Sequence, residues 1–178
     1  RTSLTTMSFL PEGQAYVEVK ANATKACAIA TELLTNTSCS TLNLRFHIGD
    51  KGAKAIGESL KQNTRLRKIF AQCQKFTIKG FKTLCEGLAE NDGLMLFEVG
   101  GNTLGEEGGA MLADAISKNS SLVSLGASLC EMNDVAFVQL SEALKVNTTV
   151  QCLNLGNNFP GPLGLTAFAS AIKHSTTL

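Results

Sequence analysis

The sequence predicts an α/β fold in which short parallel strands and helices alternate along a stack of similar units. Three observations predict it. Apolar residues at positions i, i+3 and i+5 recur at intervals of 27, 28, 28, 28 and 28 residues, counted from Cys39, Leu66, Leu94, Leu122, Val150 and Leu178. A second apolar pair follows at i+18 and i+22 with helical spacing. A polar residue, usually asparagine, then closes each unit. Units of this size cannot bury their apolar faces alone, so they must stack into one continuous core.

The strands come first in each unit. Their apolar positions are Cys39/Leu42/Leu44, Leu66/Ile69/Ala71, Leu94/Phe97/Val99, Leu122/Leu125/Ala127 and Val150/Leu153/Leu155. Position i+8 reads His47, Gln74, Asn102, Cys130 and Asn158. Side chains there can bond the backbone of the turn that ends the strand, where buried groups would otherwise go unpaired. Ala71, Gln74 and Ala127 weaken the pattern without breaking its register.

The helices follow. Ile56/Leu60, Leu84/Leu88, Leu112/Ile116, Leu140/Leu144 and Phe168/Ile172 form one apolar stripe per helix. Gly87, Ala115, Ala143 and Ala171 lie between them, and Gly52, Gly80, Gly108, Ala136 and Gly164 precede them, so close packing is expected. The helices stop at Asn63, Asn91, Asn119, Asn147 and Ser175. Asparagine tolerates the left-handed backbone that commonly ends a helix.

The chain therefore reads as one domain, 1–178, with units 39–65, 66–93, 94–121, 122–149 and 150–177 after an irregular segment 1–38. In that segment Leu4/Met7/Phe9 match the strand positions, and Ile29 and Leu33 belong to a helix ending at Asn36. The surplus length falls in an insertion at 11–24, where Tyr16 and Glu18 alternate with Val17 and Val19 as in a short extra strand. No dedicated cap is recognisable, and the chain reads as a fragment of a longer array or larger protein.

Composition narrows the function. At 44% hydrophobic and 17% charged, the 178 residues are those of a folded chain, not a disordered one. The 16 basic and 15 acidic side chains leave +1, which argues against nucleic-acid binding through bulk charge. No apolar run is long enough to span a bilayer. Six cysteines contain no CxxC pair, and His47 and His174 lie far apart, so neither zinc nor any other cofactor is expected. Most of the thiols read as reduced and buried, which favours the cytoplasm.

Leu94 to Asn102 and Val150 to Asn158 carry LxxLxLxxN-type strands ahead of a glycine-led helix. This pattern resembles the ribonuclease-inhibitor-like class of leucine-rich repeat, closely over 39–178 and loosely over 1–38. The resemblance implies a horseshoe solenoid with strands on the concave face and helices on the convex face. It specifies a fold and leaves the role open, because many binding functions share it. Members serve as inhibitors, as sensor domains of NOD-like receptors and as cytoskeletal or axonemal scaffolds.

Residues between the core positions should project from the concave sheet. Units 2 to 4 place Arg45, Lys68, Phe70, Leu96 and Glu98 there, and aromatic and arginine anchors usually concentrate binding energy. The alternative is that Phe70 packs on its strand neighbours and the charges only solubilise the face. Units 5 and 6 offer small groups, and Gly100, Gly126 and Gly156 would either admit a partner's backbone closely or reflect a surface under no demand.

Other motifs reduce to the repeat. The glycines from Gly100 to Gly105 fall on the repeat turn and lack the Gly-Lys-Ser/Thr ending of a phosphate loop. Asn36, Asn119 and Asn147, three of four glycosylation sequons (the other at Asn22), occupy the helix-ending position. Glu106 and Glu107 suit the first turn of a helix, and His174 suits a last turn. No nucleophile, base and orienting group converge. The expected function is a protein-interaction module that binds a protein partner on the concave sheet. It is not an enzyme, and no nucleic acid, membrane or small-molecule substrate is expected. The alternative is a RanGAP-like activator of a small GTPase, with Arg45 as its only basic candidate near a loop.

Overall fold

The computed structural model describes residues 8–178. Six strands alternate with six helices: β1 (Tyr16–Lys20), α1 (Ala23–Leu33), β2 (Thr41–Arg45), α2 (Gly49–Leu60), β3 (Lys68–Phe70), α3 (Ile78–Glu90), β4 (Leu96–Glu98), α4 (Gly105–Lys118), β5 (Ser124–Gly126), α5 (Asp134–Val146), β6 (Cys152–Asn154) and α6 (Pro162–His174). The strands form one parallel sheet in chain order. Each helix packs on the next one along, so the units make a linear stack.

Register follows the repeat. Ile69 pairs with Phe97, Phe97 with Leu125, and Leu125 with Leu153. Leu42, Ile69, Phe97 and Leu125 are buried, as are Ile56, Leu84, Leu112 and Leu140 from the facing helices. These residues belong to one apolar core running the length of the stack. In the last unit Phe168 is only partly buried and Ile172 is exposed.

The short strand expected within the segment 11–24 is present as Tyr16–Lys20, but it is the first unit's own repeat strand, not an extra one in an insertion. Val17 pairs with Leu42 and Val19 with Leu44, so these valines fill the core positions of an ordinary repeat strand. Asn22 then caps α1 by accepting from the Lys25 N–H at 3.0 Å. By this register the unit runs from Gln14 to Ser38, shorter than the period, so a search at 28 residues steps over it. Of Leu4/Met7/Phe9, the first two lie outside the described residues. Phe9 packs against the core, and its N–H and that of Leu10 donate to the Glu32 carboxylate.

The asparagines act differently from the expectation too. Asn91, Asn119 and Asn147 end their helices in extended backbone, not in the left-handed region. Their side chains do the work. Asn119 is buried, and its Oδ1 accepts from the N–H groups of Ser121 and Leu122. Its Nδ2 donates to the carbonyls of Leu88 and Asn91, one unit back. Asn91 and Asn147 repeat the arrangement, and Asn63 and Asn36 do so with one donor contact each, to Leu33 and Leu10. Residues selected only for αL tolerance would not need burial. These are buried because their amides give partners to backbone groups enclosed between two units.

A second polar column runs along the strand ends. Asn102 donates to the carbonyls of Ala71 and Val99 and accepts from the Gln74 N–H. Asn158 does the same with Ala127, Leu155 and Cys130, and the Cys130 thiol contacts the carbonyls of Val99 and Ser128.

Candidate functional site

One sheet face is covered by the helices, and the other is open. Positions i+2 and i+4 project there. On the β1–β2 side the polar groups satisfy one another. Arg45 Nε lies 3.3 Å from Glu18 Oε2, and Asn43 Nδ2 donates to Glu18 Oε2 and to the Tyr16 hydroxyl.

The β3–β4 pair is different. Lys68 stands opposite Leu96 and Phe70 opposite Glu98. The four side chains make a square with charges on one diagonal and apolar groups on the other. Lys68 is exposed, whereas Phe70, Leu96 and Glu98 are half-buried. Neither Lys68 nor Glu98 has an ion-pair or hydrogen-bond partner among the described residues. Burial pushes the Glu98 carboxyl above its usual range.

The Glu98 carboxylate leans across β5 and lies over Gly126, where a Cβ would collide with both of its oxygens. Gly126 therefore accommodates this chain's own side chain, not a partner's backbone. Gly100 is also filled from within, since a Cβ there would lie 2.9 Å from the Ser128 carbonyl and hydroxyl oxygens. Of the three glycines on this face only Gly156 has room, its nearest neighbour being Asn154 Oδ1 at 3.4 Å.

A cavity of about 560 Å³ opens where β2 and β3 end, lined by Arg45, Phe46, His47, Phe70, Cys73 and Gln74, among others. Unit 39–65 is one residue short, and its turn places Phe46 at φ 72° and 58% exposed. The Lys20 ammonium sits 5.9 Å from the Phe46 ring centre. His47 is exposed and makes no hydrogen bond among the described residues, so it leaves the polar column that Gln74 and Asn102 continue. Gln74 reaches back to the Leu44 carbonyl, but its Oε1 is buried without a partner.

All five residues expected on the open face stand on or beside β2, β3 and β4. Lys68, Phe70, Leu96 and Glu98 are brought together, and Arg45 is tied to β1. The exposed Phe46 was not anticipated from the sequence, and the missing residue of unit 39–65 is the signal that marks its turn. Of the cysteines, Cys39, Cys85 and Cys130 are buried, Cys27 is intermediate, and Cys73 and Cys152 are exposed. Burial holds the Cys130 thiol up, at about 11, and raises those of Cys39 and Cys85. The Nδ2 atoms of Asn36, Asn119 and Asn147 are buried donors, so these sequons are closed to glycans in the folded protein.

Stacked strand–helix units and two buried polar columns describe a chain related to leucine-rich-repeat proteins. Its sequence supports that relation. The chain is 28% identical over 152 residues to NACHT, LRR and PYD domains-containing protein 12 of Mus musculus, covering 84% of this chain and 14% of the relative. It is 27% identical over 157 residues to NACHT, LRR and PYD domains-containing protein 13 of Homo sapiens, covering 86% and 15%. The chain thus spans about one seventh of the length of these relatives. No family model matches it. Among solved structures, the Caenorhabditis elegans tropomodulin C-terminal domain superposes with a TM-score of 0.68 at 13% identity, over 86% of this chain and 93% of that one. At that identity the likeness is one of fold. No helix among the described residues is long and apolar enough to cross a membrane.

Proposed function

We propose that this chain is a non-catalytic interaction module whose open sheet is the concave face of a curved solenoid and holds a protein partner. Curvature follows from geometry, since helices of about 10 Å diameter stack on one side and strands about 4.8 Å apart on the other. The observation that carries the reading is the square of Lys68, Phe70, Leu96 and Glu98. It offers a half-buried aromatic residue and two charged residues without partners among the described residues, and aromatic anchors concentrate binding energy in protein interfaces. Relatives built on leucine-rich repeats support the interaction role. The near-neutral charge favours a protein partner over nucleic acid, and the unpaired cysteines favour a cytoplasmic setting. The GTPase-activating alternative gains nothing from the geometry, because its one candidate, Arg45, is engaged by Glu18.

The test is affinity capture from cell extract with wild type and with the double variant Lys68→Ala plus Phe70→Ala. A partner retained by wild type and lost from an equally stable variant supports the reading. The same set of partners on both proteins overturns it.

A further inference from the structure

We infer that the partner seats a basic side chain, Lys or Arg, against the Glu98 carboxylate on the open sheet. This rests on the open face being the binding surface and adds the chemistry of what binds there. Glu98 is the half-buried acid of that face, and no cation or donor reaches it among the described residues. The chain pairs its other charges where it can: Arg45 with Glu18, Lys61 with Glu58, Lys118 with Asp114 and Lys145 with Glu142. A partly desolvated carboxylate without a partner is a cost to the free protein, and an arriving cation removes it.

The surroundings fit a long cationic side chain. Beyond Glu98 the face carries Ser124 and Gly126 on β5, then Cys152 and Asn154 on β6, which are all short. A lysine or arginine approaching from that side meets no bulky group before the carboxylate. Lys68, diagonal to Glu98, disfavours a second cation and favours an acid further along the partner. The patch therefore selects a segment in which a basic residue is followed or preceded by an acidic one.

A phage-displayed library of randomised helical peptides, selected on the chain and on its Glu98→Lys variant, tests this. Wild type is expected to enrich peptides with Lys or Arg at a fixed position, and Glu98→Lys to enrich Asp or Glu there. Individual wild-type binders should lose about tenfold or more in affinity for Glu98→Gln, the range of a charge-assisted contact. Far-UV circular dichroism of both variants should match wild type, since the residue lies on the open face. Binders lost with Phe70→Ala but indifferent to Glu98→Gln overturn the inference and leave the binding face in place. Binders indifferent to both substitutions, or no binders at all, count against both readings.

Discussion

Asn119 donates from Nδ2 to the carbonyl oxygen of Asn91, 2.8 Å away and one unit earlier in the stack. The same amide holds Leu88 behind it and the Ser121 and Leu122 N–H groups ahead of it. Asn119→Ala leaves the Ser121 and Leu122 N–H groups without this acceptor, at about 1–3 kcal/mol for each one that water cannot reach, while the Leu88 and Asn91 carbonyls keep the Asn91 N–H and the Ser121 hydroxyl. The expected loss is at least about 2 kcal/mol, read as a lower urea midpoint. Asn119→Asp should do harm too, because a carboxylate cannot donate to Leu88 and Asn91.

Helices α2 and α3 meet backbone to backbone. A Cβ on Gly87 would collide with the Gly57 carbonyl oxygen, and one on Gly57 with the Thr83 carbonyl. Alanine in a helix normally gains up to about 1 kcal/mol over glycine. Here Gly87→Ala should instead destabilise by about 1–3 kcal/mol, because the neighbouring helix must move. A raised melting temperature would show that the two helices do not approach so closely.

Burial of Glu98 carries a cost that depends on pH. Its carboxyl is raised by burial, so folding favours its protonated form. The stability it contributes is present below the usual carboxylate range and is lost as pH rises through the raised value. Glu98→Gln should therefore equal or exceed wild type in melting temperature at pH 7, and the advantage should vanish under acid conditions. A variant less stable than wild type at neutral pH would mean that the carboxylate has a partner.

The core and the surface should respond unequally. Leu112 is fully buried in α4, and Leu112→Asp places an unpaired charge in the continuous core at a cost of about 4 kcal/mol or more. Glu106, exposed in the first turn of the same helix, bonds only the half-buried Asn133 amide among the described residues. Glu106→Lys should stay within about 1 kcal/mol of wild type. Circular dichroism and thermal melts of the two variants separate these outcomes.

Thiol reactivity should divide the cysteines by position. Cys73 and Cys152 are exposed and should react with Ellman's reagent in the native protein. Cys39, Cys85 and Cys130 are buried with raised thiols, so they should react only after denaturant is added. Fast native labelling of Cys130 would mean that the turn between β5 and α5 opens readily.

Much of this structure was legible in the sequence because the repeat fixes register. Once Leu94, Phe97 and Val99 are recognised as inward, Leu96 and Glu98 must face outward, and Lys68 and Phe70 must stand beside them. The period hid what departs from it. Tyr16–Lys20 occupies a shortened unit, so its valines read as an insertion. Phe46 and His47 follow from a missing residue whose effect on the turn no pattern specifies. The lean of Glu98 over Gly126 is a side-chain conformation, and register is silent on it. The asparagines were found at the right places for the wrong reason, since their position reveals a helix end but not what the amide grips.

Both polar columns share a direction. The amide donors of Asn63, Gln74, Asn91, Asn102, Asn119, Asn147 and Asn158 all reach back to carbonyls of the preceding unit. A chain leaving the ribosome N-terminus first thus presents each new unit with acceptors already in place. The stack is built like masonry, every course bedded on the one below by the amide donors it sets into it.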